Sequence, residues 1–144
     1  MRFVKDLLDV KGRECFSVSV EATVYDALQL MAEHDVGSVL VMDGQRLAGI
    51  LSERDYARQV VLRGRASHST SVRDIMTAGV ICVAPSDTVQ HCMKIMTTQH
   101  VRHLPVREDE RIIGLVSIGD VVKALLVEQD SLIRQLESYI TGAA

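Results

Sequence analysis

The sequence predicts an α/β (α+β) fold assembled from a duplicated unit, in which short strands alternate with amphipathic helices. The first observation is a repeated corner. Gly49-Ile-Leu-Ser-Glu-Arg-Asp55 returns 65 positions later as Gly114-Leu-Val-Ser-Ile-Gly-Asp120. The second is that the offset of 65 extends without a gap well beyond the corner. Val83, Thr88, Val89, Met96, Val101, Val106, Arg111, Gly114, Ser117 and Asp120 each match the residue 65 places earlier. The third is periodicity. Within each copy the apolar residues switch between strand-like runs and helical spacing of three and four.

Composition narrows the class. Apolar residues make up 47% of the 144, enough for a core, but aromatics are only 3% and Trp is absent. The core must therefore be aliphatic. A net charge of −3 argues against a dominant nucleic-acid surface, which is usually basic. Three cysteines, Cys15, Cys82 and Cys92, lack C-x-x-C spacing and suggest reduced thiols in a cytoplasmic protein. No signal peptide or membrane-length apolar run is seen.

The first element expected is a short amphipathic helix or turn at Phe3–Leu8. Val72-Arg-Asp-Ile-Met76 resembles it at an offset of 68, so three residues must be absorbed. Lys11-Gly-Arg-Glu14 and Thr77-Ala-Gly79 are the expected turn-like connectors. Cys15–Val20 reads as a strand. Thr23 and Asp26 have capping-box spacing ahead of a helix over Val24–His34. Val24, Ala27, Leu28, Met31 and Ala32 would form its buried face. Gly37–Met42 and Leu47–Leu51 read as paired strands about an Asp43-Gly44 turn, and Asp55–Leu62 as a helix. The second copy repeats this order.

Residues 65–71 read as a linker between a first repeat with its N-terminal segment (1–64) and a second repeat with a long C-terminal helix (72–144). Arg63-Gly-Arg-Ala-Ser-His-Ser-Thr-Ser71 has no apolar face and reads as an exposed, mobile loop. Its arginines and His68 could also touch a ligand. The last helix should run from about Asp120 to Ile140 and stop at Gly142. Val122, Leu125, Leu126, Leu132, Ile133, Leu136 and Ile140 mark its stripe, which could pack on the N-terminal segment or a second subunit.

The repeated corner carries the chemistry. A serine hydroxyl both donates and accepts, and an ionised aspartate offers two acceptor oxygens suited to a vicinal diol such as that of ribose. The preceding strand supplies an apolar wall. The same spacing is also that of a capping box, which alone would account for one copy. Duplication favours a ligand, and the two roles are compatible. This is chemistry for holding a nucleoside, not for breaking a bond.

His100-Val-Arg-His-Leu-Pro-Val106 adds Arg102 and His103 before a strand, where an arginine can hold phosphate. Their counterparts are Gly37 and Ser38, so the two corners are chemically unequal. His91, Cys92, His100, His103 and Cys82 match no common zinc spacing. The cysteines fall where burial and inertness are expected, and no Gly-rich phosphate loop is present.

Taken in order, Val18-Ser-Val-Glu-Ala-Thr-Val24, Val36-Gly-Ser-Val-Leu-Val41, Gly49–Asp55, His103-Leu-Pro-Val106 and Gly114–Asp120 resemble the tandem cystathionine-β-synthase (CBS) domain pair, or Bateman module. The resemblance covers nearly the whole chain. It implies β-α-β-β-α repeats related by a pseudo-twofold axis, with small sheets packed with helices. It further implies ligand clefts between the repeats that take adenine nucleotides, NAD or S-adenosylmethionine, and a homodimer.

Carried over, one site would comprise Ser117 and Asp120 for ribose and Arg102 and His103 for phosphate. Cys15, Phe16, Ser17, Val36, Gly37 and Leu115 would surround the base. The other would comprise Ser52 and Asp55 for ribose, with Ile50, Ile81, Cys82 and Val101 near the base. There Ser38 and Gly37 replace the basic pair, and Arg54 could compensate.

The expected function is a non-enzymatic sensor that binds AMP, with ADP, ATP or NAD as alternatives, and signals to a protein effector. No catalytic cofactor, metal, nucleic acid or membrane enters this reading. A scaffold dimer with vestigial clefts and a metal-dependent enzyme are the competing readings.

Overall fold

Helical spacing of Val4, Leu7 and Leu8 produces the first helix. In the computed structural model, which describes residues 2–141, α1 spans Val4–Lys11 and buries all three. It is longer than the sequence suggests. Lys11, expected in a turn, is its last residue, and Gly12 follows at φ +98°. Next come β1 (Ser17–Ser19), α2 (Val24–His34), β2 (Ser38–Asp43), β3 (Arg46–Ser52) and α3 (Glu53–Tyr56), with a π-helical stretch at Ala57–Val61. The second half contains α4 (Val72–Ile75), α5 (Val89–Gln99), β4 (His103–Glu108), β5 (Arg111–Ser117) and α6 (Ile118–Thr141). Gly142, the expected stop, lies outside the described residues.

The duplication is visible in local geometry. Thr23 and Thr88 both cap their helices, accepting from Asp26 N and His91 N at 3.2 and 3.1 Å. Asp35 and His100 end those helices in the left-handed region, at φ +51° and +56°. Both hairpins carry a register shift, between Val41 and Met42 and between Val106 and Arg107. Ala32, expected on the buried face of α2, is exposed. Val24, Ala27 and Met31 form that face.

Two compact units do not follow the chain's linear order. One joins the N-terminal segment through Arg13 to Cys82 and beyond, and the other is Glu14–Ile81. In the former, Val4, Leu7 and Leu8 share a core with Val89, Met96, Leu104, Val106, Val116, Val121 and Ala124. In the latter, Val72 and Ile75 join Val24, Ala27, Met31, Val39, Val41, Leu51 and Val60. The attachment is the same each time. Val89 N donates to Arg2 O and Val4 N to Asp87 O; correspondingly, Val24 N donates to Thr70 O and Val72 N to Ala22 O. Each pairing satisfies one of the orphan amides at a helix start.

These bonds also fix the loop before α4. Tyr25 N donates to Ser67 O, Thr70 is buried, and the Tyr25 and His68 rings stack at 3.9 Å. The loop is largely exposed, as expected, yet it is tied to α2.

The sheets differ. β1 runs parallel to β2, and β2 antiparallel to β3. Around Val83 the corresponding strand shrinks to one parallel bridge with Val106. Proline explains the loss. Leu40 N donates to Phe16 O in the first sheet, and its counterpart Pro105 has no N–H to give.

Only Val121 and Ala124 of α6 are buried. Of the stripe read from sequence, Leu125 is half-buried against the core of its unit, while Val122, Leu126, Leu132, Ile133, Leu136 and Ile140 are exposed. The core side of the helix is set by Val121 and Ala124, so the larger residues lie off that side.

Gly49 and Gly114 are where the leading segments press on the strands. A Cβ on Gly49 would meet Met76 Sδ at 2.6 Å and the Thr77 carbonyl oxygen at 2.8 Å. On Gly114 it would meet only Leu8 side-chain atoms, the nearest at 2.7 Å. Gly49→Ala should therefore cost about 2–3 kcal/mol and Gly114→Ala about 1 kcal/mol, measured by urea denaturation. Equal costs would show that the backbone contact at Thr77 yields as readily as a leucine side chain.

Candidate functional site: two serine–aspartate corners

Where β3 and β5 end, the chain turns directly into a helix and its first amides need acceptors. At the first corner Asp55 Oδ2 accepts from Ser52 N and Ser52 Oγ, both at 3.0 Å, while Asp55 N donates to Ser52 Oγ at 3.1 Å. At the second, Asp120 Oδ2 accepts from Ser117 N at 2.8 Å and Asp120 N donates to Ser117 Oγ at 3.2 Å. Both are reciprocal capping boxes. Capping occupies Oδ2 in each case. Oδ1 of either aspartate takes no hydrogen bond from a described residue.

The adjoining strands hold their neighbours in matching positions. Ser38 pairs with Ser52 across β2–β3, and His103 with Ser117 across β4–β5. Gly37 O accepts from Glu53 N at 3.0 Å, and Arg102 O from Ile118 N at 2.9 Å. Residues 37 and 102 therefore abut their corners through the backbone. The Arg102 side chain is exposed and His103 is half-buried. Ser38 is 3% exposed, and its Oγ is buried with no partner among the described residues.

The remaining candidates divide between the units. Cys15, Phe16, Ser17, Val36, Gly37, Ser38, Ile50, Ser52, Arg54, Asp55 and Ile81 belong to Glu14–Ile81. Cys82, Val101, Arg102, His103, Leu115, Ser117 and Asp120 belong to the other unit. Phe16 stacks on His34 at 3.7 Å. Ile50 exchanges both backbone bonds with Thr77, at 3.0 and 2.9 Å.

Lys11 is the site-adjacent residue that sequence reasoning missed. Its Nζ donates to Asp120 Oδ2 at 2.6 Å and to Leu115 O at 2.8 Å. Among the described residues no cation bonds the aspartate of the first corner, and Ile50, the counterpart of Leu115, is met by the Thr77 backbone. The available signal was the three-residue surplus before Phe16, which lengthens α1 by enough to bring a lysine to the corner.

Burial pushes the Asp120 carboxyl up, but the Lys11 hydrogen bond, the Ser117 amide, the Lys11 charge and the Ser117 hydroxyl together hold it below its ordinary value. Cys82 is pushed up by burial, against the charge of Arg107. Burial, with the charge of Asp87, pushes Cys92 up to about 11, which suits a core thiol rather than a nucleophile. Among the described residues there is no metal-holding group of three or more His, Cys, Asp or Glu side chains. No described helix is long and apolar enough to cross a membrane. A groove lined by Arg2, Gln90, Leu125, Glu128, Gln129, Ser131, Leu132 and Gln135 contains no corner residue.

Two helix–hairpin–helix repeats, the first led by a full strand and the second by a single bridge at Val83, each end their hairpin in a serine–aspartate corner and define a tandem α/β module. The CBS domain model matches residues 4–62 and 72–127, and the chain belongs to the CBS-domain family as a pair of such domains. It is 40% identical to the CBS domain-containing protein CBSX3, mitochondrial, of Arabidopsis thaliana, over 96% of this chain and 72% of that protein. A putative signal-transduction protein with CBS domains from Burkholderia ambifaria has a structure similar at TM-score 0.84 and 47% identity, over 88% of this chain and 96% of that one. The CBS domain pair of protein MJ0100, solved in complex with 5′-methylthioadenosine and S-adenosyl-L-methionine, shares the fold. Its TM-score is 0.79 at 21% identity, over 89% of this chain and 98% of that one.

The Asp120 carboxyl sets a pH dependence. Its folded pKa lies below the ordinary 3.8, so its charged form contributes stability above that value. The contribution is lost as pH falls through the lower folded value. Asp120→Asn should cost about 1 kcal/mol at neutral pH, and the difference from wild type should shrink as pH falls below the ordinary carboxyl value of 3.8. Urea midpoints across that range check this. A pH-independent difference would assign the loss to packing.

Proposed function

We propose that the chain is a non-enzymatic regulatory module that binds an adenosine-containing nucleotide at its serine–aspartate corners. AMP is the favoured ligand, with ADP, ATP and NAD as further candidates. The observation that carries this reading is the aspartate geometry: in both corners capping uses Oδ2, leaving Oδ1 as an acceptor for a ribose hydroxyl. The adenosyl ligands bound by the MJ0100 domain pair support the ligand class. Arg102 and His103 are assigned to the 5′-phosphate of a ligand at the Asp120 corner. The Ser38 hydroxyl is a candidate contact at the Asp55 corner, because a buried hydroxyl without a partner is costly. Leu115 at the Asp120 corner and Ile50 at the Asp55 corner are assigned to the base, as are Cys15, Phe16, Ser17, Val36, Gly37, Ile81, Cys82 and Val101. Occupancy reaches a protein effector through differential affinity for two states of the module.

The exposed apolar stripe of α6 supports a homodimer as the assembly. Light scattering should report a dimer that Leu136→Glu converts to monomer. A monomeric wild type would remove this part of the reading.

Calorimetry on ligand-stripped protein with AMP, ADP, ATP and NAD tests the main reading. AMP should bind, Asp120→Ala should weaken it about tenfold or more, and Arg102→Ala should weaken AMP more than adenosine. Absence of binding by all four nucleotides would favour a scaffold with vestigial sites.

A further inference from the structure

We propose that Lys11 is a ligand-contacting residue of the Asp120 corner, donating to one hydroxyl of a vicinal diol while the other hydroxyl donates to Asp120 Oδ1. The inference deepens the nucleotide reading above and rests on it. An ammonium has three N–H donors and no acceptor. Lys11 spends two of them, on Asp120 Oδ2 and Leu115 O, and no described residue takes the third. Asp120 spends one oxygen on the cap and on Lys11 and keeps the other. An unused charged acceptor and an unused charged donor therefore sit on groups 2.6 Å apart. A hydroxyl both donates and accepts, so two adjacent hydroxyls can satisfy the pair in one geometry. A deoxyribose leaves one of them without a partner.

The position of Lys11 is a built feature of the fold. Leu7 and Leu8 are buried in the core of the same unit, which fixes α1 against β5. The carbonyl of Leu115 then holds the ammonium from a second direction. The ion pair is half-shielded, with side-chain exposures of 34% and 26%, so water reaches it and a ligand can too. The Asp55 corner lacks this arrangement. After α4 the Thr77 backbone, rather than a lysine, meets Ile50. Diol reading by a lysine–aspartate pair is thus confined to one corner, and the other reads its ligand without a cation from the leading segment.

The test follows the Ser117 amide by proton–nitrogen NMR, since that amide bonds Asp120 and reports its corner in the intact chain. AMP and its 2′,3′-dideoxy analogue are titrated into wild type and Lys11→Met, with thermal melts to confirm that both are folded. Lys11→Met should weaken AMP about tenfold and leave the dideoxy analogue unchanged. Equal weakening of both ligands would overturn the proposal by assigning Lys11 to charge alone. Tighter AMP binding by Lys11→Met would overturn it by making Lys11 a blocking group. Absence of any shift with AMP in wild type would instead remove the nucleotide reading for this corner, and the proposal with it.

Discussion

The structure depends on one local requirement met twice: a strand that turns straight into a helix must supply acceptors for the first helical amides. Ser52 with Asp55 and Ser117 with Asp120 meet it by exchanging hydrogen bonds. Because the exchange consumes only one carboxylate oxygen, the corner is both a joint and an acceptor. The structural role and the proposed ligand-holding role therefore share the same two side chains. Loss of either aspartate should be felt in stability as well as in binding.

A second constraint decides which segments build each unit. The segment leading into the first repeat packs with the second repeat, and the segment leading into the second repeat packs with the first. The backbone bonds made by Arg2, Val4 and Asp87 recur as those of Thr70, Val72 and Ala22. Leu8 lies over Gly114 as Met76 lies over Gly49. At Gly49 the Thr77 carbonyl comes closer than a Cβ would permit, whereas at Gly114 only the movable Leu8 side chain does. Neither leading segment has enough apolar surface to be stable alone, so each depends on the unit it joins.

Much of this was legible in residue patterns. The offset of 65 located the repeat, and the spacing of Thr23 and Asp26 located the start of α2. The Ser-x-x-Asp spacing revealed both corners. What remained illegible is non-local. No local signal tells which repeat a leading segment will join. The outward face of α6 follows from where Val121 and Ala124 meet the core, which periodicity alone does not rank. The weakened strand near Val83 was readable in principle, since Pro105 stands where Leu40 donates. Lys11 escaped notice because its importance lies 109 residues away, at Asp120.

The two corners share a frame and differ in chemistry. Lys11 pairs with the carboxylate of the Asp120 corner, and Arg102 and His103 stand where the Asp55 corner has Gly37 and Ser38. Such divergence shows that the repeats keep one backbone while their corner side chains differ. The decisive measurement is a crystal structure of the chain grown with AMP. Ribose oxygens should lie within hydrogen-bond distance of the Asp120 carboxylate, with the capping bonds to Ser117 intact. A nucleotide bound elsewhere, with Asp120 still engaged only by Ser117 and Lys11, would contradict it.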